Sequence, residues 1–561
     1  MLLPCLLFGA GLLARATTSR AWSAFTGYET PFAIPAEDPG TPPPPLAERV
    51  AILLVDGLSY RGSLGMPFLN VLRGRGADFV CQVGVPSLSM PGRAVLLTGA
   101  WQEVHGQTTN FNVRPLRVDT LYAAARRRGV KTGLVGGAAT LKLLSPAPDW
   151  VKVLSESGPS RDFARFVVDL HRASEATREA LRDHPDLGFV FAELDVTDEA
   201  GHEWGGASPE YAQAAAEADE AIRSLSSSLD LTKDVLLVTA DHGHTSAGGH
   251  GGAEKDVMEV PLVLVGRGIR PSVKGSAEQI DVAPTVAALL GTPIPASNEG
   301  KTLLEALAVT PENEAALLAS LCLVRRSFVS HYVAFVEPGA SLTGTTCGRD
   351  AASLRESLRS LDALQRDVKK GRERREQKER GRVTVGSFCA AALILLGLLM
   401  TGLFDRGIGR RAFVLGLLGA GLYYLLLPVV GLSYSFSAVN KDENLGFFFG
   451  KDMALAFGVV ALTVLVASWG GERRSLLEAA RGAWIAEAAF LVVLLAKIAI
   501  VYWRFGVFLS WALPDSYWSF GFYLDALAVM AVGLGTPVLP LFAWLGSLGR
   551  GALSSRVEEA P

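Results

Sequence analysis

Residues 234–252 read DVLLVTADHGHTSAGGHGG, and this stretch decides the class of fold. Its first half is a short apolar run of the kind that forms a strand buried on both faces. The run ends in Asp241-His242-Gly243-His244, and His250 follows six residues on. Three of the chain's eight histidines therefore fall within nine residues. Imidazole nitrogen and carboxylate oxygen are good ligands for Zn²⁺ and similar divalent ions. Glycines at 243, 248, 249, 251 and 252 let the backbone close around a small site. A metal site is expected here.

The same strand pattern recurs in VAILLVDG (50–57), TGLVGG (132–137), GFVFAELD (188–195) and VPLVLVG (260–266). Helix-like segments at 121–129, 161–183 and 209–229 separate these runs. Such alternation predicts an α/β domain with a mostly parallel sheet. In such sheets ligands bind beyond the carboxyl ends of the strands. The polar residues lie at those ends: Asp56, Asp195 to His202, and Asp241 to His250. Asp198 and His202 are four apart, which brings both to one side of a helical turn. Asp56 alone reads as a turn aspartate before Gly57. The segment VGVPSLSMPGRAVLLTG (83–99) offers hydroxyls at Ser87 and Ser89 before a helix-like stretch. A serine there caps the helix or serves as a nucleophile, since helix N-terminal amides bind phosphate. Arg93, one turn beyond Ser89, either reaches a phosphate or lies at the surface. Asp281 reads as the cap of a helix over 283–290.

The composition splits the chain. Of 561 residues 49% are apolar and 19% charged, below the roughly 25% charge of soluble domains. All eight histidines precede residue 332, whereas long apolar runs dominate after 383. A net charge of −3 gives no electrostatic case for nucleic-acid binding. The apolar run 2–13, followed by Ala14-Arg15-Ala16, reads as an export signal or N-terminal anchor within 1–34. Residues 35–48 are a Pro-rich spacer, 49–345 the catalytic domain, and 346–383 a charged helical linker. A bilayer core needs about 20 apolar residues per helix. Residues 384–547 then hold about five spans, near 384–404, 412–437, 452–470, 483–503 and 521–547, with 548–561 as a tail. Loops 405–411 and 471–482 carry three arginines each, so the positive-inside rule assigns them to the cytoplasm and the large domain to the other side. Glu487, Lys497 and Asp525 fall at membrane depth, where ionisable groups are functional candidates. Five scattered cysteines show no zinc-finger spacing. Cys322 and Cys347 are able to pair outside the cell, but their connectivity is open.

Taken in order, VDG with Asp56, PSLSMPG…LLTG with Ser89, HGQTTN (105–110), DEAGH (198–202), ADHGH (240–244) and GGHGG (248–252) resemble the alkaline phosphatase superfamily. The resemblance is to its branch of nucleotide pyrophosphatase/phosphodiesterases and GPI ethanolamine phosphate transferases. It implies a three-layer alkaline phosphatase-like fold and two divalent ions, Zn²⁺ with Mn²⁺ as the alternative. By that resemblance Ser89 is the nucleophile. Asp56, Ser89, Asp241 and His242 surround one ion; Asp198, His202 and His250 surround the other; Asn110 donates to a phosphate oxygen. The short gap between ADHGH and GGHGG, and the membrane-embedded second half, are like the transferases. Many relatives have Thr at the place of Ser89 and Met at that of His244.

The resemblance therefore implies a membrane-anchored two-metal phosphotransferase or phosphodiesterase. It would act through a phospho-serine intermediate on a phosphodiester or phospholipid-type substrate, moving a phospho-alcohol such as phosphoethanolamine to a lipid-linked acceptor. Three other readings compete: a hydrolytic diesterase; a sulfatase, for which Ser89-Met-Pro-Gly-Arg93 matches the S-x-P-x-R spacing; and a non-catalytic membrane subunit with a degenerate outer domain.

Overall fold

The computed structural model describes residues 2–32, 34–36, 43–155, 161–337, 342, 346–399, 407–469, 475–505, 513 and 515–548. Six residues of the Pro-rich spacer (37–42), parts of both arginine loops (405–406 and 471–474), the stretch 506–512 and the tail from 549 lie outside them. The chain forms two compact units. One comprises Thr26–Glu373 with Ser510–Leu513; the other comprises Met1–Phe25, Arg374–Leu509 and Pro514–Pro561.

The first unit is built on eight strands: β1 (Arg49–Val55), β2 (Ala77–Gln82), β3 (Lys131–Gly137), β4 (Trp150–Leu154), β5 (Leu187–Leu194), β6 (Asp234–Thr239), β7 (Glu259–Gly266) and β8 (Val273–Glu278). Their order is β4-β3-β5-β1-β6-β7-β2-β8. Pairing is parallel except that β7 runs antiparallel to both β6 and β2. The α/β expectation is borne out, and five strands lie where the apolar runs predicted them. β2, β4 and β8 were not anticipated. β4 and β8 are edge strands, and β8 (VKGSAE) is largely solvent-facing, so it carries no apolar run to read.

Every residue of β1 and β6 is buried, which requires cover on both faces. Helices Pro67–Arg75, Phe163–Arg182 and Pro209–Ser226 pack together on one face. Helices Ser89–Thr98, Leu121–Arg127 and Val282–Leu290 pack together on the other, which completes three layers. The registers Leu54↔Glu193 and Leu54↔Thr239 bring the carboxyl ends of β5, β1 and β6 level. Asp56, Asp195 and Asp241 leave the sheet side by side as a result.

Asp281 does not cap the helix Val282–Leu290 through its side chain. Its carboxylate accepts instead from the N–H groups of Glu278, at 3.0 Å, and Lys301, at 2.8 Å. Cys322 and Cys347 are joined in a disulfide.

The second unit is helical. Among the described residues Leu2–Thr26, Leu445–Ser468, Leu476–Phe505 and Ser516–Leu534 are long and apolar enough to cross a membrane. The expected spans are redrawn in three places. The charged linker and the first span form one helix, Ala351–Leu399. The second ends at Leu426, before Pro428, since proline lacks the N–H that would continue it. The last divides into Ser516–Leu534 and Leu539–Leu548, with Pro537 between them. The N-terminal helix runs unbroken through Ala14-Arg15-Ala16 and meets Ser516–Leu534 at two glycines. A Cβ on Gly11 would lie 2.7 Å from Leu534 N, and one on Gly533 2.7 Å from Gly11 N. Small residues let membrane helices approach this closely. The ionisable residues at depth find partners on other segments, as burial in hydrocarbon demands. Lys497 Nζ lies 2.9 Å from Asp525 Oδ2 and over the rings of Tyr424 and Tyr434. Glu487 Oε1 accepts from Thr536 Oγ1 at 2.5 Å.

The disulfide leaves Cys5, Cys81 and Cys389 as thiols. The denatured, unreduced chain is expected to take up three alkyl groups, and five after reduction. Five before reduction would contradict the Cys322–Cys347 bond.

Candidate metal and catalytic site

Two clusters of ligand-type side chains form beyond the ends of β5, β1 and β6. Asp56, Asp241 and His242 make one; Asp198, His202, His244 and His250 make the other. They adjoin, because the rings of His242 and His250 stack with centroids 3.6 Å apart. Close packing of the loops allows this. Gly57 adopts φ +70°, and a Cβ on it would lie 2.8 Å from Asp198 Cα. A Cβ on Gly92 would lie 2.8 Å from that of Asp241, so the helix Ser89–Thr98 sits directly on the aspartate.

Ser89 is the first residue of that helix. Its Oγ lies 3.1 Å from His242 Nε2. Asn110 Oδ1 accepts from the N–H of Met90 at 3.0 Å, which brings its amide to the same helix turn. Ser87 ties the loop before the helix to GGHGG. Its Oγ donates to Gly252 O at 2.7 Å, and its carbonyl oxygen lies 3.1 Å from His250 Nδ1.

The site is crowded with negative charge. Asp241 Oδ1 accepts from the N–H groups of Gly57 and His242. Asp56 Oδ1 and Asp241 Oδ2 are buried without a hydrogen bond from any described residue. A buried carboxylate oxygen left bare is costly unless a cation takes it. Burial, then repulsion from Asp241 and Asp198, pushes the Asp56 carboxyl well above its usual range, against the pull of Arg93. At Asp198 burial also acts upward, but the imidazoles of His202, His244 and His250 outweigh it and hold the carboxyl well below that range. Burial keeps His250 and His244 neutral, the latter pushed down to about 4. Neutral imidazoles beside one carboxylate, and bare carboxylate oxygens beside another imidazole, are donors that divalent ions accept, so the residues fit such ions.

Arg93 is not at the surface. Its guanidinium is buried, pairs with Asp56, and lies 3.5 Å from Glu193 Oε2 and Asp241 Oδ2 and 3.7 Å from Asp195 Oδ1. Glu193 escaped the sequence reading, and His244, though counted in the histidine cluster, was left out of the ligand sets the resemblance implied. A lone glutamate inside the apolar run GFVFAELD was the available sign of the first, and the second histidine of ADHGH that of the other.

Residues 50–259 match the family model for type I phosphodiesterase / nucleotide pyrophosphatase. The resemblance read from the motifs is thereby borne out over this segment. The human GPI ethanolamine phosphate transferase 2, catalytic subunit, is 25% identical over 293 residues, 49% of this chain and 29% of that protein. The human GPI ethanolamine phosphate transferase 3, catalytic subunit, is 32% identical over 289 residues, 46% of this chain and 26% of that protein. The chain thus spans less than a third of the length of these curated relatives. Among solved structures, murine ectonucleotide pyrophosphatase / phosphodiesterase 5 aligns with a TM-score of 0.39 at 13% identity, over 46% of this chain and all of that one.

His105 shapes the turn that carries Asn110. Its Nδ1 accepts from the N–H of Gln107 at 3.0 Å, and burial pushes its pKa down to about 3. The unfolded chain titrates this imidazole near 6.5. Between those values the unfolded chain binds the proton and the native one does not. Its contribution is therefore complete above pH 6.5 and falls on acidification, by up to ~1.4 kcal/mol per pH unit. His105→Asn, which keeps an acceptor for the Gln107 N–H, is expected to remove this part of the acid slope in thermal melts. An unchanged slope would contradict it.

Proposed function

We propose that the chain is a membrane-bound phosphoethanolamine-type transferase, moving a phospho-alcohol from a phosphodiester donor to an acceptor hydroxyl on a lipid-linked glycan. One observation carries the reading. Ser89 Oγ stands at a helix N-terminus, 3.1 Å from His242 Nε2, where the two ligand clusters meet. The names of the relatives that align with this half of the chain support the choice of phospho-alcohol.

Asp56, Ser89, Asp241 and His242 would hold one divalent ion through three oxygens and one nitrogen, a mixed carboxylate and imidazole set that Zn²⁺ accepts. Asp198, His202 and His250 would hold the second. Bound ions would make the serine hydroxyl more acidic and offset charge on the phosphoryl oxygens. The chain's own residues do the rest. Ser89 Oγ bonds to phosphorus, the bond from phosphorus to the donor's alcohol oxygen breaks, and that alcohol leaves with the proton the serine gave up. The acceptor hydroxyl then bonds to phosphorus, the P–Oγ bond breaks, and Ser89 takes the acceptor's proton. Asn110, held at the first helical turn by the N–H of Met90, would donate its side-chain N–H to a phosphoryl oxygen. Arg93, committed to carboxylates, orients Asp56 and Asp241.

The first unit is assigned to the non-cytoplasmic side. The arginines flanking the apolar helices support this. So does the Cys322–Cys347 disulfide, a bond that persists in oxidising compartments. The N-terminal helix is assigned as a retained anchor, supported by its Gly11 contact with Gly533.

The test is transfer from a headgroup-labelled aminoalcohol phospholipid by the full-length protein in detergent, followed by mass spectrometry of the acid-quenched Ser89 peptide. Ser89→Ala is expected to lower transfer at least about 1,000-fold and to abolish a headgroup-phosphate adduct on that peptide. Undiminished transfer by the variant, or an adduct elsewhere, would overturn the assignment. Headgroup-phosphate release without an acceptor would make the chain a hydrolase.

A further inference from the structure

His244 sits in the second cluster but is held differently from its neighbours. An imidazole that binds a metal through one nitrogen ordinarily donates the N–H of the other to a carbonyl or carboxylate. His250 follows this rule. Its Nδ1 lies 3.1 Å from Ser87 O, and its Nε2 faces His202 Nε2 at 3.2 Å. His242 follows it too, with Nδ1 3.2 Å from Gly243 O and Nε2 toward Ser89. His244 reverses the pattern. Its Nε2 lies 2.8 Å from Asp198 Oδ1, and its Nδ1 is buried with no hydrogen-bond partner among the described residues.

The position of the proton follows from this contrast. If Nε2 bound an ion, the proton would have to sit on Nδ1, where nothing accepts it. With the proton on Nε2, the bond to Asp198 is a charge-assisted hydrogen bond, and only a lone pair is left bare. The fold also makes room for this ring specifically. A Cβ on Gly201 would lie 2.4 Å from His244 Cδ2, one on Gly57 2.9 Å from the same atom, and one on Gly206 2.9 Å from His244 Cβ. Three glycines, Gly57 after β1, Gly201 within the helix Val196–Trp204 and Gly206 just beyond it, thus leave the space one imidazole fills.

We infer that His244 is a positioning residue for Asp198. By donating Nε2–H to Oδ1 it commits that oxygen, so that Asp198 presents Oδ2, which lies 3.4 Å from His202 Nε2. The second set then consists of three protein ligands, Asp198 Oδ2, His202 and His250, and keeps an open position, as catalytic rather than structural sites do. Direct ligation by His244 would close it. His244 therefore keeps the acceptor's place free. This inference rests on reading the cluster as a metal site.

The test uses the full-length protein in detergent, stripped of metal and titrated with Zn²⁺ against a competing chelator, and with Co²⁺ for its visible spectrum. His244→Ala is expected to bind two ions at saturation, with the weaker affinity about 10- to 100-fold lower and the Co²⁺ bands unmoved. His244→Gln retains an N–H donor at the right reach, and His244 borders a cavity of about 270 Å³ that can take the extra length. It is expected to restore most of the affinity. Three results would overturn the positioning role: loss of one equivalent in His244→Ala, shifted Co²⁺ bands, or affinities equal to wild type. Absence of any ion in the wild-type chain would instead overturn the metal-site reading, and this inference with it.

Discussion

Five carboxylates, those of Asp56, Glu193, Asp195, Asp198 and Asp241, crowd the ends of three adjacent strands, and one buried arginine faces four of them. The rest of the first unit follows from this concentration of charge. Parallel strands in level register put the carboxylates there, and two helical layers keep most of them from water. Like charges at such distances repel by several kcal/mol unless cations lie among them. Arg93 supplies one positive charge and cannot balance five negative ones. The bare oxygens on Asp56 and Asp241 show where the balance is incomplete. Two divalent ions together with Arg93 would bring the sum to zero.

Much of this was legible in the sequence because the chemistry lies at strand ends. An apolar run that stops at Asp-Gly or Asp-His-Gly marks both the strand and the polar group it delivers. Asp241 was found in this way and Asp198 by its four-residue spacing to His202, whereas Asp56 alone read as a turn aspartate until the resemblance joined it to the set; the fold brings all three together with Ser89, His202, His242 and His250. The ion pairs of Arg93 were not legible, because Glu193 and Asp195 lie about a hundred residues away along the chain. Only the β1–β5 register brings them close. Ser87 was seen as a hydroxyl, but its role as a bridge to Gly252 depends on a loop that no local pattern describes. Edge strands β4 and β8 escaped because they lack the two-sided burial that writes a continuous apolar run.

In the helical unit, apolar length identified the region, whereas breaks and partners depended on single residues. Proline at 428 and 537 ends helices that composition alone would continue. Lys497 and Glu487 lie ten residues, about 15 Å, apart on one helix, too far to pair with each other. Each has a partner on another segment, Lys497 in Asp525 and Glu487 in Thr536, while Glu487 Oε2 is buried without a hydrogen bond from any described residue. These contacts hold the bundle together in a medium where an unpaired charge is costly.

On the proposed function the two ligand clusters are two separate cation sites that share Ser89 at their junction. Metal content of the purified full-length chain tests it most directly, measured for wild type, Asp56→Asn and His202→Ala after equilibration with Zn²⁺ and removal of excess. The account predicts two ions per wild-type chain and one in each variant. Equal content in all three, or no bound ion in the wild type, would contradict it.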